Sequence, residues 1–287
     1  MRPVAFDYAA PTSVADAVQA LVEHGDEAKV LGGGQSLLPV LKIRMADPET
    51  LVDLRLVPEL REIRDDGGEI VVGAMATHHA VAHDPLVAEH AGVLGQAAGS
   101  IGDPQIRYRG TVGGALAHAD PAGDIAPALL ALDASVEIAG PAGVRVLPVA
   151  DFLEDYFTTA LGEDEVLTAI RVPKHTGWGM RYEKFTQVAQ SWAIVAVAAA
   201  VRLDGGTVAE ARIGLSNMGS TALRARAAEA ALAGCAVEEG ALHAAAASAG
   251  EGTDPPSDPA GTPEYRRHLA GVLAGRAVAA AAGIEAR

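Results

Sequence analysis

Apolar residues recur at helical spacing in VADAVQALVEH, behind Thr12 or Ser13 as a cap and ahead of Gly25 as a stop, which predicts an amphipathic helix. Residues 28–31 read as a strand entering a turn, 38–43 as a helix or turn, and 50–54 as a second short strand, with Pro58 at the junction. Further on, 69–73 (EIVVG) reads as a strand and 78–83 as the start of a helix, while 86–98 is helical with a small-residue face. A helix over 124–132 precedes a hairpin of 135–138 and 144–147 around GPAG, a short helix over 151–157, and an apolar strand over 166–172. Composition shifts at KHTGWG, placing a boundary at about residues 173–178. Beyond it, 181–185, 193–203 and 207–215 alternate as three antiparallel strands, the last two joined by a DGG turn. Alanine-rich helices follow over 221–233, 238–247 and 263–282, with the proline-rich link EGTDPPSDPAGTP before the last. The pattern predicts an α+β protein of two domains, 1–175 (lobes of about 1–56 and 57–175) and 176–287, without internal repeats.

Two glycine-rich stretches interrupt these elements. VLGGGQSLLP carries an apolar run into three consecutive glycines, then a glutamine, a serine and a second apolar run. Removing three side chains in a row lets the backbone turn tightly and gather several N–H groups around one anion, and Ser36 adds a hydroxyl. The competing reading is an ordinary turn. The Rossmann fingerprint fails because Leu37 stands where its third glycine belongs, and the P-loop fails for want of a Gly-Lys-Ser/Thr ending. The second stretch, GTVGGA at 110–115, is followed by His118, Asp120, Pro121 and Asp124. Two cradles suit a long ligand anchored at two places, such as one containing a pyrophosphate.

Composition narrows the field. The 287 residues, 49% apolar and 21% charged, describe a globular chain with room for a sizeable core. A net charge of −15 argues against nucleic acid or an anionic membrane as partner. Cys235 is the sole cysteine, so this chain builds neither a disulfide framework nor a four-cysteine iron–sulfur cluster. The N-terminal stretch is too polar for a signal peptide and no apolar run is long enough to span a bilayer, so a cytoplasmic location without membrane insertion is expected.

Three segments carry a resemblance: VLGGGQSLLPVLKIRM, IGDPQIRYRGTVGGALAHADPAGDIAPALLALDA and YEKFTQVAQSWAIVAVAAAV. They resemble the FAD-binding medium subunit of the molybdenum hydroxylases, in the manner of carbon monoxide dehydrogenase medium subunits and the flavin domain of xanthine dehydrogenase, from the first residues to about Gly283. The resemblance implies a two-lobed FAD-binding domain of the vanillyl-alcohol-oxidase (PCMH) type, then a C-terminal domain with a three-stranded sheet and a helical bundle. It assigns Gly32, Gly33, Gly34, Gln35 and Ser36 to the FAD pyrophosphate, with Lys29, Val30, Leu31 and Leu37 lining the adjacent groove. It brings Thr111, Val112, Gly113, Gly114 and Ala115 to the pyrophosphate and ribityl chain; relatives often have Asn where this chain has Ala115. Asp124 matches a carboxylate that binds a sugar or ribityl hydroxyl, against the plainer reading of a helix cap. Ile101, with Gly102, and Leu167 match apolar contacts to the adenine or isoalloxazine, while His118 and Asp120 fall within the second motif's flavin-contacting region. For His118 a structural hydrogen bond and a redox role both stand.

Lys184 and Trp192 lie where the family places a lysine and an aromatic residue against the flavin, the lysine as a source of positive charge; a core aromatic is the alternative for Trp192. Relatives often carry Arg and Asp in this interval where Gln187 and Ser191 stand here. No catalytic side chain is expected beyond the flavin itself, and no metal site: His78, His79 and His83 lack a cysteine or spaced carboxylate to complete a ligand set. No G-x-S-x-G elbow supports a hydrolase. The implied function is electron transfer: non-covalent FAD here takes electrons from [2Fe-2S] clusters of a small subunit, fed by a molybdenum cofactor in a large subunit, most simply in a dimer of heterotrimers. The alternatives are a stand-alone FAD oxidase, which needs a substrate-binding base not evident here, and a scaffold that has lost FAD, which leaves the two glycine cradles unexplained.

Overall fold

A computed structural model describes residues 2–284. The first lobe is built from β1 (Asp7–Ala9), α1 (Val14–His24), β2 (Ala28–Leu31), α2 (Leu37–Lys42) and β3 (Thr50–Asp53). Ser13 caps α1 by accepting from the Asp16 N–H, and Gly25 ends it with φ 59°. The three strands form a parallel sheet in the order β1-β3-β2, with β1, too short and polar to show a period, added at the edge. Ala17 and Leu21 of α1 pack on Val52 and Leu54, and Met75 and Val166 from the next lobe close this small core.

The second lobe runs through β4 (Ile63–Asp66), β5 (Glu69–Gly73), α3 (His78–His83), α4 (Pro85–His90), α5 (Gly92–Ser100), α6 (Pro104–Arg107), α7 (Val112–His118) and α8 (Ile125–Ala131). It ends with β6 (Ser135–Gly140), β7 (Gly143–Pro148), α9 (Val149–Phe152), β8 (Leu153–Asp155), β9 (Thr158–Thr159) and β10 (Val166–Pro173). Its five-stranded antiparallel sheet has the order β4-β5-β10-β6-β7. The helix expected over 86–98 is two helices, because Ala91 leaves helical geometry at φ −145°. The helix expected over 151–157 lasts only through Phe152; the chain then extends into the small β8–β9 pair, where Phe157 takes φ 53°.

The C-terminal part comprises β11 (Gly179–Phe185), β12 (Val195–Asp204), β13 (Thr207–Ser216), β14 (Leu223–Arg224), α10 (Arg226–Leu232), α11 (Glu239–Ala246) and α12 (Pro263–Ala281). Its sheet has four strands rather than the expected three: residues 223–224, read as helix from their alanine-rich surroundings, pair antiparallel with β13. β12 explains how this part joins the rest. Ala196 and Ala198 face the helices of the second lobe, whereas Val195, Val197, Ala199 and Val201 face α10–α12, so both faces of the strand are buried and polar alternation disappears. On β13, Gly214 lets α8 approach so closely that a Cβ there would lie 2.7 Å from the Pro127 carbonyl carbon.

Candidate functional site

The glycine segments, 80 residues apart in sequence, meet face to face. The first leaves β2, turns through Gly32, Gly33 and Gly34, and enters α2. A Cβ on Gly32 would lie 3.2 Å from the Thr111 Oγ1 and 4.0 Å from the Gly114 Cα, and one on Gly33 would lie 2.7 Å from the Gly110 Cα. Gly34 has φ 73°, which a side chain would strain. Along this turn the N–H groups of Gly33, Gly34, Gln35 and Ser36 donate to no protein acceptor among the described residues. Lys29, Gln35 and part of Ser36 reach solvent, while Val30, Leu31 and Leu37 are half-buried beside them. Four adjacent free donors on a glycine turn are what an anionic diphosphate requires.

The second segment is built differently. Thr111 caps α7, accepting from the Gly114 N–H at 3.2 Å. The Val112 N–H goes to the Ala76 carbonyl, the Gly113 N–H to that of Ala74 and the Ala115 N–H to that of Thr111. Its donors are therefore spent on the protein. A Cβ on Gly113 would lie 2.7 Å from the Ala74 oxygen, so this glycine serves helix-on-strand packing, whereas Gly114 is exposed on the groove side. Ala115 is half-buried against the core.

Behind this segment, His78 is buried with its ring beside Gly110; its backbone N–H donates to the Gly110 carbonyl, and its Nδ1 has no partner among the described residues. Burial, helped by the Arg107 charge, pushes its pKa down to about 4. His79 stacks on Tyr108 at 3.9 Å between ring centroids, and the His83 Nδ1 bonds the His79 carbonyl, which accounts for those two rings.

Ile101 is half-buried at the end of α5, and Gly102 follows with φ 45°; Arg107 holds both carbonyls. Leu167 is buried on β10 beside a register shift against β6, packed in the core. His118 ends α7 with its ring 5.2 Å from that of Phe157, and the Asp120 Oδ1 accepts the Ala122 N–H in the loop that leads to Asp124.

Asp124 precedes α8 but makes no capping bond to it. Instead its buried carboxylate accepts the Tyr182 hydroxyl on Oδ1 at 2.6 Å and the Lys184 ammonium on Oδ2 at 2.9 Å. The cap reading is thereby replaced. The Lys184 ammonium, expected as a source of positive charge, is one half of an ion pair joining the start of α8 to β11. Tyr182 was not singled out by sequence, although its place two residues before Lys184 on an edge strand puts both side chains on one face. Trp192 is 57% exposed on the 186–194 loop, so it is no core aromatic. That loop is anchored at its end: Asn217 donates to the Ala193 carbonyl at 2.9 Å and the Ile194 carbonyl at 3.2 Å, and the fully buried Arg266 also bonds the Ile194 carbonyl. Two further cavities, about 240 Å³ between α11 and α12 and about 230 Å³ at the β6–β7 turn, lie away from this region.

Residues 4–175 match the family model of the FAD binding domain in molybdopterin dehydrogenase, and residues 180–281 match that of the CO dehydrogenase flavoprotein C-terminal domain. The chain belongs to the FAD-binding medium subunits of the molybdenum hydroxylases. Among these relatives it is 42% identical to the carbon monoxide dehydrogenase medium chain of Afipia carboxidovorans, over 97% of each chain. A carbon monoxide dehydrogenase structure from Hydrogenophaga pseudoflava, lacking the Mo-pyranopterin moiety of its cofactor, superposes with TM-score 0.95 and 42% identity over 100% of both chains. Quinoline 2-oxidoreductase from Pseudomonas putida 86 superposes with TM-score 0.94 and 35% identity, covering 99% of this chain and 99% of that one. Medium-subunit membership makes the chain an oxidoreductase component with an FAD-binding domain. Among the described residues no helix is long and apolar enough to cross a membrane.

Proposed function

We propose that this medium subunit holds FAD non-covalently in the groove between the two glycine segments, with residues 1–175 as the FAD-binding domain and 176–287 closing the flavin end. The four free N–H groups from Gly33 to Ser36 carry this reading. They would take the pyrophosphate oxygens, each charge-assisted bond contributing roughly 1.5–3 kcal/mol. Gly32 and the exposed Gly114 keep the groove open for the chain between phosphate and ring, with Thr111 at its wall. Asp124 and Lys184 present a paired charge toward the ribityl and ring end, and the half-buried Ile101 supplies apolar surface, with Leu167 in the core. Trp192 is exposed and free to cover a flat ring, a stacking worth about 0.5–1.5 kcal/mol beyond its buried area.

When bound, FAD supplies the chemistry of accepting electrons singly or in pairs, and the protein positions it and sets its surroundings. The chain has one cysteine, so it holds no four-cysteine cluster of its own. By likeness to the family, electrons would come from [2Fe-2S] clusters of a small subunit, fed by a molybdenum cofactor in a large subunit, and leave to an external acceptor, within a cytoplasmic dimer of heterotrimers. Relatives named for carbon monoxide and for quinoline align with nearly all of this chain, which supports the reading that substrate choice resides outside the medium subunit.

The test is purification of the complex from its host. Expected are a flavin spectrum, FAD released by acid, and a large and a small partner chain in equal amount. Flavin that stays on the precipitated polypeptide, or full activity of this chain by itself on an organic substrate, would overturn the reading. Trp192→Ala is expected to leave the melting temperature within about a degree, because its side chain packs little, while changing the rate of flavin reoxidation. Unchanged reoxidation would remove Trp192 from the flavin face.

A further inference from the structure

Of the five tyrosines, four are exposed and one, Tyr182, is sealed in the core. A buried phenol needs a partner for its hydroxyl. Tyr182 has one that matters: its hydroxyl donates to the Asp124 Oδ1 at 2.6 Å, within a stretch of protein otherwise filled by alanine, leucine and valine side chains. The other carboxylate oxygen takes the Lys184 ammonium at 2.9 Å. Each oxygen thus has one charged or polar donor, and both donors come from the same face of β11, two residues apart.

The strand itself is fixed from the other side. The Tyr182 N–H donates to the Gln96 Oε1 at 2.8 Å, and the Gln96 Nε2 returns a bond to the Met180 carbonyl at 3.2 Å, so α5 holds the strand's register while the phenol holds the carboxylate. Three groups act on the Asp124 charge: Tyr182 and Lys184 favour it, and Asp120 in its own loop opposes it. Burial opposes it most, holding the Asp124 pKa above the usual carboxylate range. Two side-chain donors favour the charged carboxylate against that burial, and Tyr182 is one of them.

We propose that Tyr182 is a positioning residue of the cofactor site: its hydroxyl orients the Asp124 carboxylate so that Lys184 reaches the groove as one end of an ion pair rather than as a free charge. This rests on the reading of the groove as the FAD seat. Without the hydroxyl, Oδ1 would be a buried acceptor with no donor, and protonation would be its cheapest relief. Lys184 would then stand unneutralised beside the flavin and favour the anionic reduced form.

The test uses Tyr182→Phe, which keeps the ring and its packing, in the whole complex and in the purified full chain. Infrared titration of the Asp124 carboxyl band, assigned with Asp124→Asn, reports protonation without reference to flavin. In Tyr182→Phe the midpoint is expected to rise by about one pH unit, a tenfold tighter hold on the proton. The midpoint potential of bound flavin should be more positive than wild type between the wild-type midpoint and the new one, and coincide with it at pH values below or above both. Superimposed infrared titrations, or potentials that run parallel at every pH, would overturn the proposal. Failure of the wild-type chain to bind FAD in a fluorescence titration would overturn the flavin reading alone, since the infrared shift stands or falls independently.

Discussion

The two glycine segments look alike in sequence and do opposite things with their backbone. In the first, the N–H groups of Gly33 through Ser36 find no protein acceptor among the described residues. In the second, Val112, Gly113, Gly114 and Ala115 all give theirs to the protein, to carbonyls of the β5 exit and of Thr111 and to the Thr111 hydroxyl. N–H groups without a protein acceptor are left to water or to a ligand, and four of them in a row on a glycine turn offer one anion several donors at once. The lesson is that glycine density does not identify a cradle. What identifies it is where the donors go, and by that measure one segment grips and the other forms the wall it grips against.

The sharpest way to break this comparison is Gly33→Val. Its Cβ would be driven into the Arg109 carbonyl and would lie 2.7 Å from the Gly110 Cα, both backbone atoms of the opposing segment, so the segments must part. FAD affinity is expected to fall by at least about a hundredfold, corresponding to roughly 2.7 kcal/mol, with the secondary structure by circular dichroism retained. A variant that still titrates with FAD at wild-type affinity would show that the gripping turn lies elsewhere.

Next comes His78, which supports the wall from behind. Its folded pKa of about 4 lies below the ordinary 6.5, so the imidazole is buried neutral. The sign follows from proton binding: between those two values the unfolded chain holds the proton and the folded one does not. Stability therefore rises with pH through that window, and is lost as pH falls from about 6.5 toward 4, by about 3 kcal/mol in all. His78→Phe removes the titrating group and should flatten this limb of a denaturation profile taken at several pH values. A limb just as steep in the variant would assign the acid sensitivity to other groups.

Gly113→Ala distinguishes packing from binding. The new methyl would lie 2.5 Å from the Ala74 Cβ and 2.8 Å from its Cα, backbone and core that have no room to give. Overpacking of this kind costs about 1–3 kcal/mol. The melting temperature should drop by several degrees, while the chain that remains folded binds FAD as before. Loss of affinity at unchanged stability would move Gly113 to the gripping side.

Much of this was legible beforehand, because it depended on periodic or covalent features. The cap at Ser13, the span of α3, the strand β5 and the glycine turn after β2 follow from local pattern. What escaped was set by distant partners. β14 forms because β13 offers it an edge, not because Leu223–Arg224 favours a strand. Tyr182 became a site residue only when folding brought Asp124 to it across 58 positions. Arg266, in an alanine-rich helix, gave no sign that it would be buried and anchor the Ile194 carbonyl at the end of the Trp192 loop. Nor could sequence tell the two glycine segments apart, since the acceptors that occupy the second, Ala74 and Ala76, belong to the distant turn after β5.

The smallest effect, and the most selective, is expected from Gly114→Ala. This glycine is exposed and helical, and the only described atom a Cβ would meet within 4 Å is the Thr111 Oγ1 at 2.7 Å, a side-chain atom that can rotate away. Rotation gives up the cap bond to the residue 114 N–H, a loss of about 1 kcal/mol, while alanine in place of glycine within a helix returns about as much. The melting temperature should therefore hardly move. Yet the added methyl enters the space between the segments, where the Gly114 Cα lies only 4.0 Å from where a Cβ of Gly32 would be. If that space seats the cofactor, FAD affinity drops by about tenfold, or roughly 1.4 kcal/mol, with stability intact. Calorimetric unfolding beside a fluorescence titration measures both. Affinity and stability both at wild-type values would mean that the ligand does not pass between the segments, and the gripping turn would then face a ligand on its open side only.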